Sequence, residues 1–309
     1  MVVTDTRLLA IDWGTSSARA YALGARGAVI DERSAPLGVQ RVTDGRFADA
    51  LAKLCGHALS ARVPAIACGM IGSRQGWIEA PYRDCPAGID AIAGALTRVP
   101  DTPLLIVPGL VVRDAAGVPD LMRGEETQII GALDDSDGRG IYVLPGTHSK
   151  WAIADARAIE NFASFMTGEL YGVLREHSIL GRLAGNGSDE VAFDRGVEAS
   201  LRGGGALIHD LFSTRTLALT GALASDGVGD YLSGLLVGAE IAAARAWAAG
   251  NALDPGKVTL VGEQALCKRY AQALQLAGID ATQGPAAAAA RGLWRIAQRA
   301  GLVPSVVPS

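Results

Sequence analysis

Asp12 stands immediately before Trp13-Gly14-Thr15-Ser16-Ser17, a carboxylate followed by a turn dense in hydroxyls and short of side-chain bulk. A carboxylate is the hard oxygen donor that Mg²⁺ prefers, directly or through its waters. Gly14 lets a ligand approach the main chain, and N–H groups beside Thr15, Ser16 and Ser17 can cradle an anion. Turns of this composition also close hairpins that bind nothing. The same pattern returns, however, at Gly146-Thr147-His148-Ser149, again between apolar runs. A pair of such turns, one per half, points to phosphate binding. His148 or Lys150 could contact the anion, although Lys150 would equally serve as a solvated turn residue.

Two further clusters could do chemistry. Glu125 and Glu126 follow Gly124 at an expected helix start, the favourable end of the helix dipole for negative charge. Such a carboxylate either caps the helix or serves as a general base that accepts a hydroxyl proton as phosphate arrives. The loop Gly69-Met70-Ile71-Gly72-Ser73-Arg74-Gln75-Gly76-Trp77 follows a buried strand, where α/β proteins place ligands. Arg74 could clamp a carboxylate through two parallel hydrogen bonds, and Gln75 and Trp77 could line a polar pocket. The alternative there is an exposed arginine and a packing tryptophan.

The elements that must hold these groups follow from periodicity. Leu9 to Tyr21 reads as a hairpin with a polar tip, and Ala28 to Asp31 as a third strand. Apolar positions from Phe47 to Leu59 have helical spacing, Val63 to Ile71 reads as a buried strand, Ile89 to Leu96 as a short helix and Leu104 to Val112 as one more strand. Asp134 to Gly140 is a charged, glycine-bearing linker, after which Ile141 to Ala154 repeats the hairpin design. Thr167 stands as an N-cap before a helical run, and Asp194 to Leu201 and Ala206 to Leu211 read as helices around Gly203-Gly204-Gly205. Tyr231 to Ala249 is a long helix with glycines at 234 and 238 suited to close packing. Val258 to Gly262 is a strand ending in glycine before the helical Gln264 to Leu276, and Pro285 opens a last helix. Strands alternating with helices predict an α/β protein, with two domains at 1–137 and 138–309 of like architecture facing each other over a cleft. A Walker loop is excluded, because no Gly-Lys-Ser/Thr is present.

Composition removes other classes. The 28 basic and 32 acidic residues give a formal charge of −4, and no basic cluster exceeds Lys268-Arg269, so no nucleic-acid partner is expected. Four cysteines without CxxC spacing fit reduced thiols in the cytoplasm, and no export signal is evident. Leu235 to Ala249 is interrupted by Glu240 and Arg245, which predicts a buried helix and no membrane span.

Asp12 to Arg19, Leu144 to Ala154 and Leu260 to Ala265 resemble, in order, the phosphate-1, phosphate-2 and adenosine segments of the actin/sugar-kinase/Hsp70 superfamily. Within that frame Ile11-Asp12-Trp13-Gly14-Thr15-Ser16-Ser17, Gly69 to Ser73, Arg123-Gly124-Glu125-Glu126-Thr127-Gln128, Pro145 to Trp151 and Thr167-Gly168-Glu169 are similar to 2-dehydro-3-deoxygalactonokinases. The resemblance implies two ribonuclease H-like (actin-like ATPase) domains around a nucleotide-binding cleft. It implies ATP-dependent phosphorylation of 2-dehydro-3-deoxy-D-galactonate at its terminal hydroxyl, with ATP and Mg²⁺ as cofactors. By position, Asp12 would organise Mg²⁺ and take part in catalysis. Gly14, Thr15, Ser16, Ser17, Gly146, Thr147 and His148 would serve the phosphates, and Gly262 would border adenosine. Related carbohydrate kinases carry an Asp where Glu125 stands, which leaves the base between Glu125 and Glu126. Arg74, with Gln75 beside it, is the first candidate for the substrate carboxylate and Arg123 the second. The rival readings are a kinase for another sugar or keto-deoxy sugar acid, and a nonenzymatic ATP-gated sugar-acid sensor. A homodimer is compatible with either.

Overall fold

The computed structural model describes residues 5–56, 63–134, 138–203 and 206–304. Buried, mostly aliphatic β1 (Leu8–Trp13) pairs antiparallel with β2 (Ala18–Leu23), which pairs with β3 (Val29–Ala35). Helix α1 (Phe47–Cys55) buries Phe47, Ala50, Leu51, Leu54 and Cys55, the face its spacing predicts. Ala58 and Leu59, expected to continue it, lie outside the described residues. Every residue of β4 (Ala65–Gly69) is buried, as its parallel pairing with β1 requires.

Beyond the loop that follows β4 come β5 (Arg83–Asp84), α2 (Ile89–Ala93), β6 (Thr97–Arg98) and β7 (Leu104–Ile106). Next are β8 (Leu110–Arg113), β9 (Pro119–Met122) and α3 (Glu125–Ala132). The single strand expected over Leu104 to Val112 is thus two strands in different sheets. Pro108 lacks a ladder donor, and at Gly109 a Cβ would stand 2.6 Å from the carbonyl of Met122, so the chain turns there out of one sheet and into the other. The large sheet has the order β3-β2-β1-β4-β7-β6, and β5-β8-β9 forms a small one.

The second sheet is built from β10 (Gly140–Leu144), β11 (Ser149–Ala154) and β12 (Ile159–Phe165), followed after a helical stretch by β13 (Lys257–Leu260) and β14 (Asp280–Gln283). Its order, β12-β11-β10-β13-β14, repeats the third-second-first-fourth order at the start of the first, where β7 takes the next place. That duplication is the architecture the paired hairpins predict. Residues 135–137 of the expected linker and Gly204 and Gly205 lie outside the described residues.

Helices α4 (Thr167–His177), α5 (Glu190–Arg202), α6 (Leu207–Leu219), α7 (Val228–Gly250) and α8 (Gln264–Leu276) belong to the second half. Thr167 is a correction: it is the first helical residue, Met166 holds the cap position, and the buried threonine hydroxyl is turned inward to Glu240. Close packing at 234 and 238 is observed. A Cβ on Gly234 would stand 2.1 Å from the carbonyl of Phe193, and one on Gly238 2.7 Å from that of Val197, so α7 lies backbone to backbone on α5. The segment Ser225–Gly250 is long and apolar enough to cross a membrane, but 56% of its apolar stretch is buried inside the protein, as befits a core helix.

By contacts the chain forms two compact units, 1–139 with 153–162 and 285–309, and 140–152 with 163–284. The last helix, α9 (Ala288–Arg299), therefore belongs to the first unit, whereas the sequence reading groups it with the second half. Pro285 precedes this helix by three residues, and Ala287, in the left-handed region at φ +52°, holds its cap position. Helix α9 lies against α3 through glycines. A Cβ on Gly131 would come 1.9 Å from the carbonyl of Ala288, and one on Gly292 1.9 Å from that of Thr127. Gly292→Val is accordingly expected to destabilise the first unit by about 1–3 kcal/mol, read from denaturant unfolding. An unchanged midpoint would show that the helices separate at no cost.

Candidate active site

The register of the first hairpin sets Asp12 directly opposite Arg19. Burial pushes the Asp12 carboxyl up to about 6; Arg19 opposes that shift, the charge of Glu125 adds to it, and the thiol of Cys68, 3.9 Å away, opposes it. The tip beyond is braced from behind. Gly14 N–H donates to the Ser17 carbonyl at 2.9 Å, while the carbonyls of Gly14 and Thr15 accept from Val39 and Gln40 at 3.0 and 3.1 Å. That brace needs Gly38, where a Cβ would lie 2.3 Å from the Ser16 backbone. With these carbonyls engaged, Thr15, Ser16 and Ser17 are left as an exposed tip of donors.

The second unit builds its tip the same way. Glu169 N–H donates to the Thr147 carbonyl at 3.0 Å, and a Cβ on Gly168 would meet the Gly146 carbonyl at 2.4 Å. His148 is half-exposed and hydrogen-bonded to Glu169. Lys150 is buried and bonded to Ser164, which excludes the solvated turn residue considered above. Gly262 is exposed at φ +144°, where an added Cβ would stand 3.8 Å from the carbonyl of Pro145, and Glu263 beside it caps α8 by accepting from Ala265 and Leu266.

In the first unit, α3 starts where β1 and β4 end. Gly124 (φ +109°) would place a Cβ 3.1 Å from Gly69, and Gly69 (φ +91°) one 2.6 Å from the carbonyl of Trp13. Glu126 is fully enclosed and accepts from Gly124 N–H at 2.6 Å and from the Thr127 hydroxyl at 2.8 Å. Burial, reinforced by the charge of Glu125, pushes its carboxyl up to about 7. Glu125 is only partly buried; its carboxylate accepts from Arg123 N–H at 2.9 Å, and its field is felt at Asp12. Of the two acids, only Glu125 has solvent-exposed surface.

Arg123 lies beneath the 72–82 loop. Its guanidinium donates to the Ala80 carbonyl at 2.7 Å and sits 4.2 Å from the centroid of Tyr82. Its Nη1 and the Ser73 hydroxyl are buried without a partner. Arg74 is 87% exposed and paired with Glu79 at 3.1 Å, and Gln75 is exposed. Trp77 stacks on Phe47 with centroids 6.1 Å apart and packs against the core, the alternative weighed for it above.

Asp12 also decides whether Mg²⁺ fits. Among the described residues no three acidic, His or Cys side chains cluster as a metal cage. A single half-buried carboxylate, pushed upward by burial and by a neighbouring negative charge, does suit a cation that keeps most of its waters and takes its other oxygens from phosphates. Sequence reasoning missed Arg19 as the counter-charge, although a hairpin with a short tip places it across from Asp12. It also missed Glu240, legible only as a lone acid in an apolar helix.

Two sheets that agree over their first four strand places, a braced polar tip in each unit and an acid at a helix start after Gly124 define the carbohydrate-kinase class of the actin-like ATPase fold. A family model described as 2-keto-3-deoxy-galactonokinase matches residues 12–296. The 2-dehydro-3-deoxygalactonokinase of Escherichia coli K12 is 38% identical over 277 residues, covering 89% of this chain and 92% of the relative. A crystal structure from Sinorhizobium meliloti attributed to a 2-dehydro-3-deoxygalactonokinase superposes with TM-score 0.83 at 36% identity, over 94% of this chain and 98% of that one. The activator of the 2-hydroxyisocaproyl-CoA dehydratase of Clostridium difficile, solved with ADPNP bound, shares the fold at TM-score 0.50 and 13% identity, over 95% and 93% of the two chains. The chain belongs to the 2-dehydro-3-deoxygalactonokinase family.

The enclosure of Glu126 has a pH signature. Its folded-state value lies above the ordinary one, so its contribution to stability is complete below the ordinary carboxylate range and is lost as pH rises through about 7. Glu126→Gln cannot ionise. In thermal or urea unfolding without nucleotide, its stability relative to the parent is expected to improve steadily from about pH 5 to about pH 8. A constant difference across that window would mean that Glu126 does not titrate there.

Proposed function

We propose that this chain transfers the γ-phosphoryl group of ATP to the terminal hydroxyl of 2-dehydro-3-deoxy-D-galactonate, yielding 2-dehydro-3-deoxy-6-phospho-D-galactonate in galactonate catabolism. Membership of the family supports the reaction, and one observation carries the residue assignment. Glu125 stands partly open at the start of α3, within the field of Asp12, while Glu126 is sealed behind it.

Glu125 accepts the proton of the substrate hydroxyl as its oxygen attacks the γ-phosphorus, and the bond from that phosphorus to the bridging oxygen of ADP breaks. The braced tips, Gly14 to Ser17 on the first unit and Gly146 to His148 on the second, present N–H and hydroxyl donors to phosphate oxygens. Asp12 would hold Mg²⁺, which when bound neutralises charge on the phosphates. Arg19 opposes the upward shift that burial imposes on Asp12. Gly262, lacking a side chain, leaves the backbone open to adenosine.

For the substrate carboxylate, Arg74 is placed in solvent, and its surface pair with Glu79, worth about 0–1 kcal/mol, would yield to a bidentate partner. Arg123 holds the loop that carries Arg74, with Gln75 at its side. The free thiols of Cys55, Cys68, Cys85 and Cys267 support a reducing compartment, and we place the enzyme in the cytoplasm.

Phosphate transfer from ATP should be strongest with the galactonate-derived keto acid when compared with its gluconate-derived epimer and neutral sugars. Preference for the epimer would reassign the substrate, and ATP hydrolysis indifferent to every acid would remove the kinase reading. Glu125→Gln is expected to bind both substrates yet lose about 10²-fold or more in kcat; near-normal turnover would strike out the base. Arg74→Ala should raise KM for the sugar acid about tenfold with KM for ATP unchanged. An unaltered KM for the acid would transfer the role to Arg123.

A further inference from the structure

Helix α7 carries a carboxylate that the phosphoryl-transfer chemistry leaves unused. Glu240 is 3% exposed in a segment otherwise apolar and small. Burying a lone carboxylate is costly, so its partners should account for its presence. Trp151 Nε1 donates to one oxygen at 2.8 Å, and the Tyr270 hydroxyl to the other at 2.7 Å. The hydroxyl of Thr167 also hydrogen-bonds to it, and Ser149 is joined to Tyr270 at 2.8 Å.

These donors are not scattered. Ser149 and Trp151 lie on β11, the strand that leaves the 145–148 tip, and Thr167 is the first residue of α4. Thr167 directly precedes Gly168 and Glu169, the two residues that brace the tip from behind. One carboxylate therefore fixes the strand on the far side of the tip and the helix start against which the tip rests, tying both to α7 and α8.

We infer that Glu240 is a positioning residue for the second phosphate turn: it touches no substrate, and it sets where the Gly146 and Thr147 backbone stands through Trp151, Ser149, Tyr270 and Thr167. The inference rests on the reading of residues 145–148 as a phosphate site. A fully satisfied buried network is rigid, and misplacement of a phosphate-binding backbone by about 1 Å can cost roughly 10²-fold in rate.

The test compares Glu240→Gln, Tyr270→Phe and Gly146→Val, measuring KM for ATP, KM for the sugar acid, kcat and thermal unfolding. Gly146→Val probes the underlying reading, because a Cβ there meets nothing closer than 3.9 Å and the side chain is added on the proposed phosphate turn itself. All three variants are expected to raise KM for ATP, Glu240→Gln by about tenfold and Tyr270→Phe by roughly threefold, with KM for the sugar acid within about twofold of the parent. If Gly146→Val raises KM for ATP while the folded Glu240→Gln does not, the positioning role is overturned and the phosphate site stands. If Gly146→Val has no effect, the phosphate reading fails and takes the inference with it. A fall in apparent kcat in proportion to lost folded protein, with both KM values unchanged, would show a merely structural role and overturn the proposal. Should Glu240→Gln not fold, Tyr270→Phe decides alone, and an unchanged KM for ATP in that variant overturns the proposal.

Discussion

Three backbones meet at van der Waals distance where β1, β4 and α3 come together, and they can do so only because two of the residues there have no side chain. Gly69 and Gly124 both take positive φ, at +91° and +109°, and a methyl group on either would press on the neighbouring backbone at 2.6 and 3.1 Å. This close approach brings the end of a buried strand and the start of a helix within one electrostatic neighbourhood. Asp12 feels the charge of Glu125 because of it, and that same charge acts on the neighbouring Glu126. Crowding of acids under low polarity would be a defect in an inert core. In the roles proposed above for Asp12 and Glu125, the same crowding would suit a divalent cation and a hydroxyl proton.

The two polar tips show a second economy. Each is a short connection between strands whose carbonyls are engaged from behind by N–H groups of a later segment, Val39 and Gln40 in one case and Glu169 in the other. Each brace includes a glycine, Gly38 or Gly168, at which a Cβ would strike the tip itself. Duplication of the fold has thus kept the support as well as the turn. The two supports differ in kind, however. The first is a single turn of 3₁₀ helix, and the second is the N-terminus of α4, anchored below by the Glu240 network.

Much of this was legible in the chain. Both hairpins, the helix start at Glu125, the strand before Gly262 and the close-packing glycines of α7 declare themselves through local rules of period and turn chemistry. What escaped has a common cause: it depends on partners far away in sequence. The division of 104–112 between two sheets is fixed by β4 on one side and β5 and β9 on the other. Thr167 looks like a cap because the pattern around it is that of a cap, and only Glu240, 73 positions later, draws its hydroxyl inward. Glu126 and Glu125 are adjacent and identical in type, so nothing local separates the sealed acid from the open one.

Helix α9 belongs to the first unit although it follows the whole of the second in sequence. It backs α3, the helix that presents Glu125, through Gly131 and Gly292, and its Trp294 covers the turn at Gly27 near the other end of the chain. On a ribosome, therefore, the first sheet emerges early and waits through the synthesis of the whole second unit before the layer behind its reactive helix is supplied. A nascent chain short of residue 288 carries Asp12, Glu125 and Glu126 but lacks the surface behind α3, so the first unit is complete only once α9 has been added.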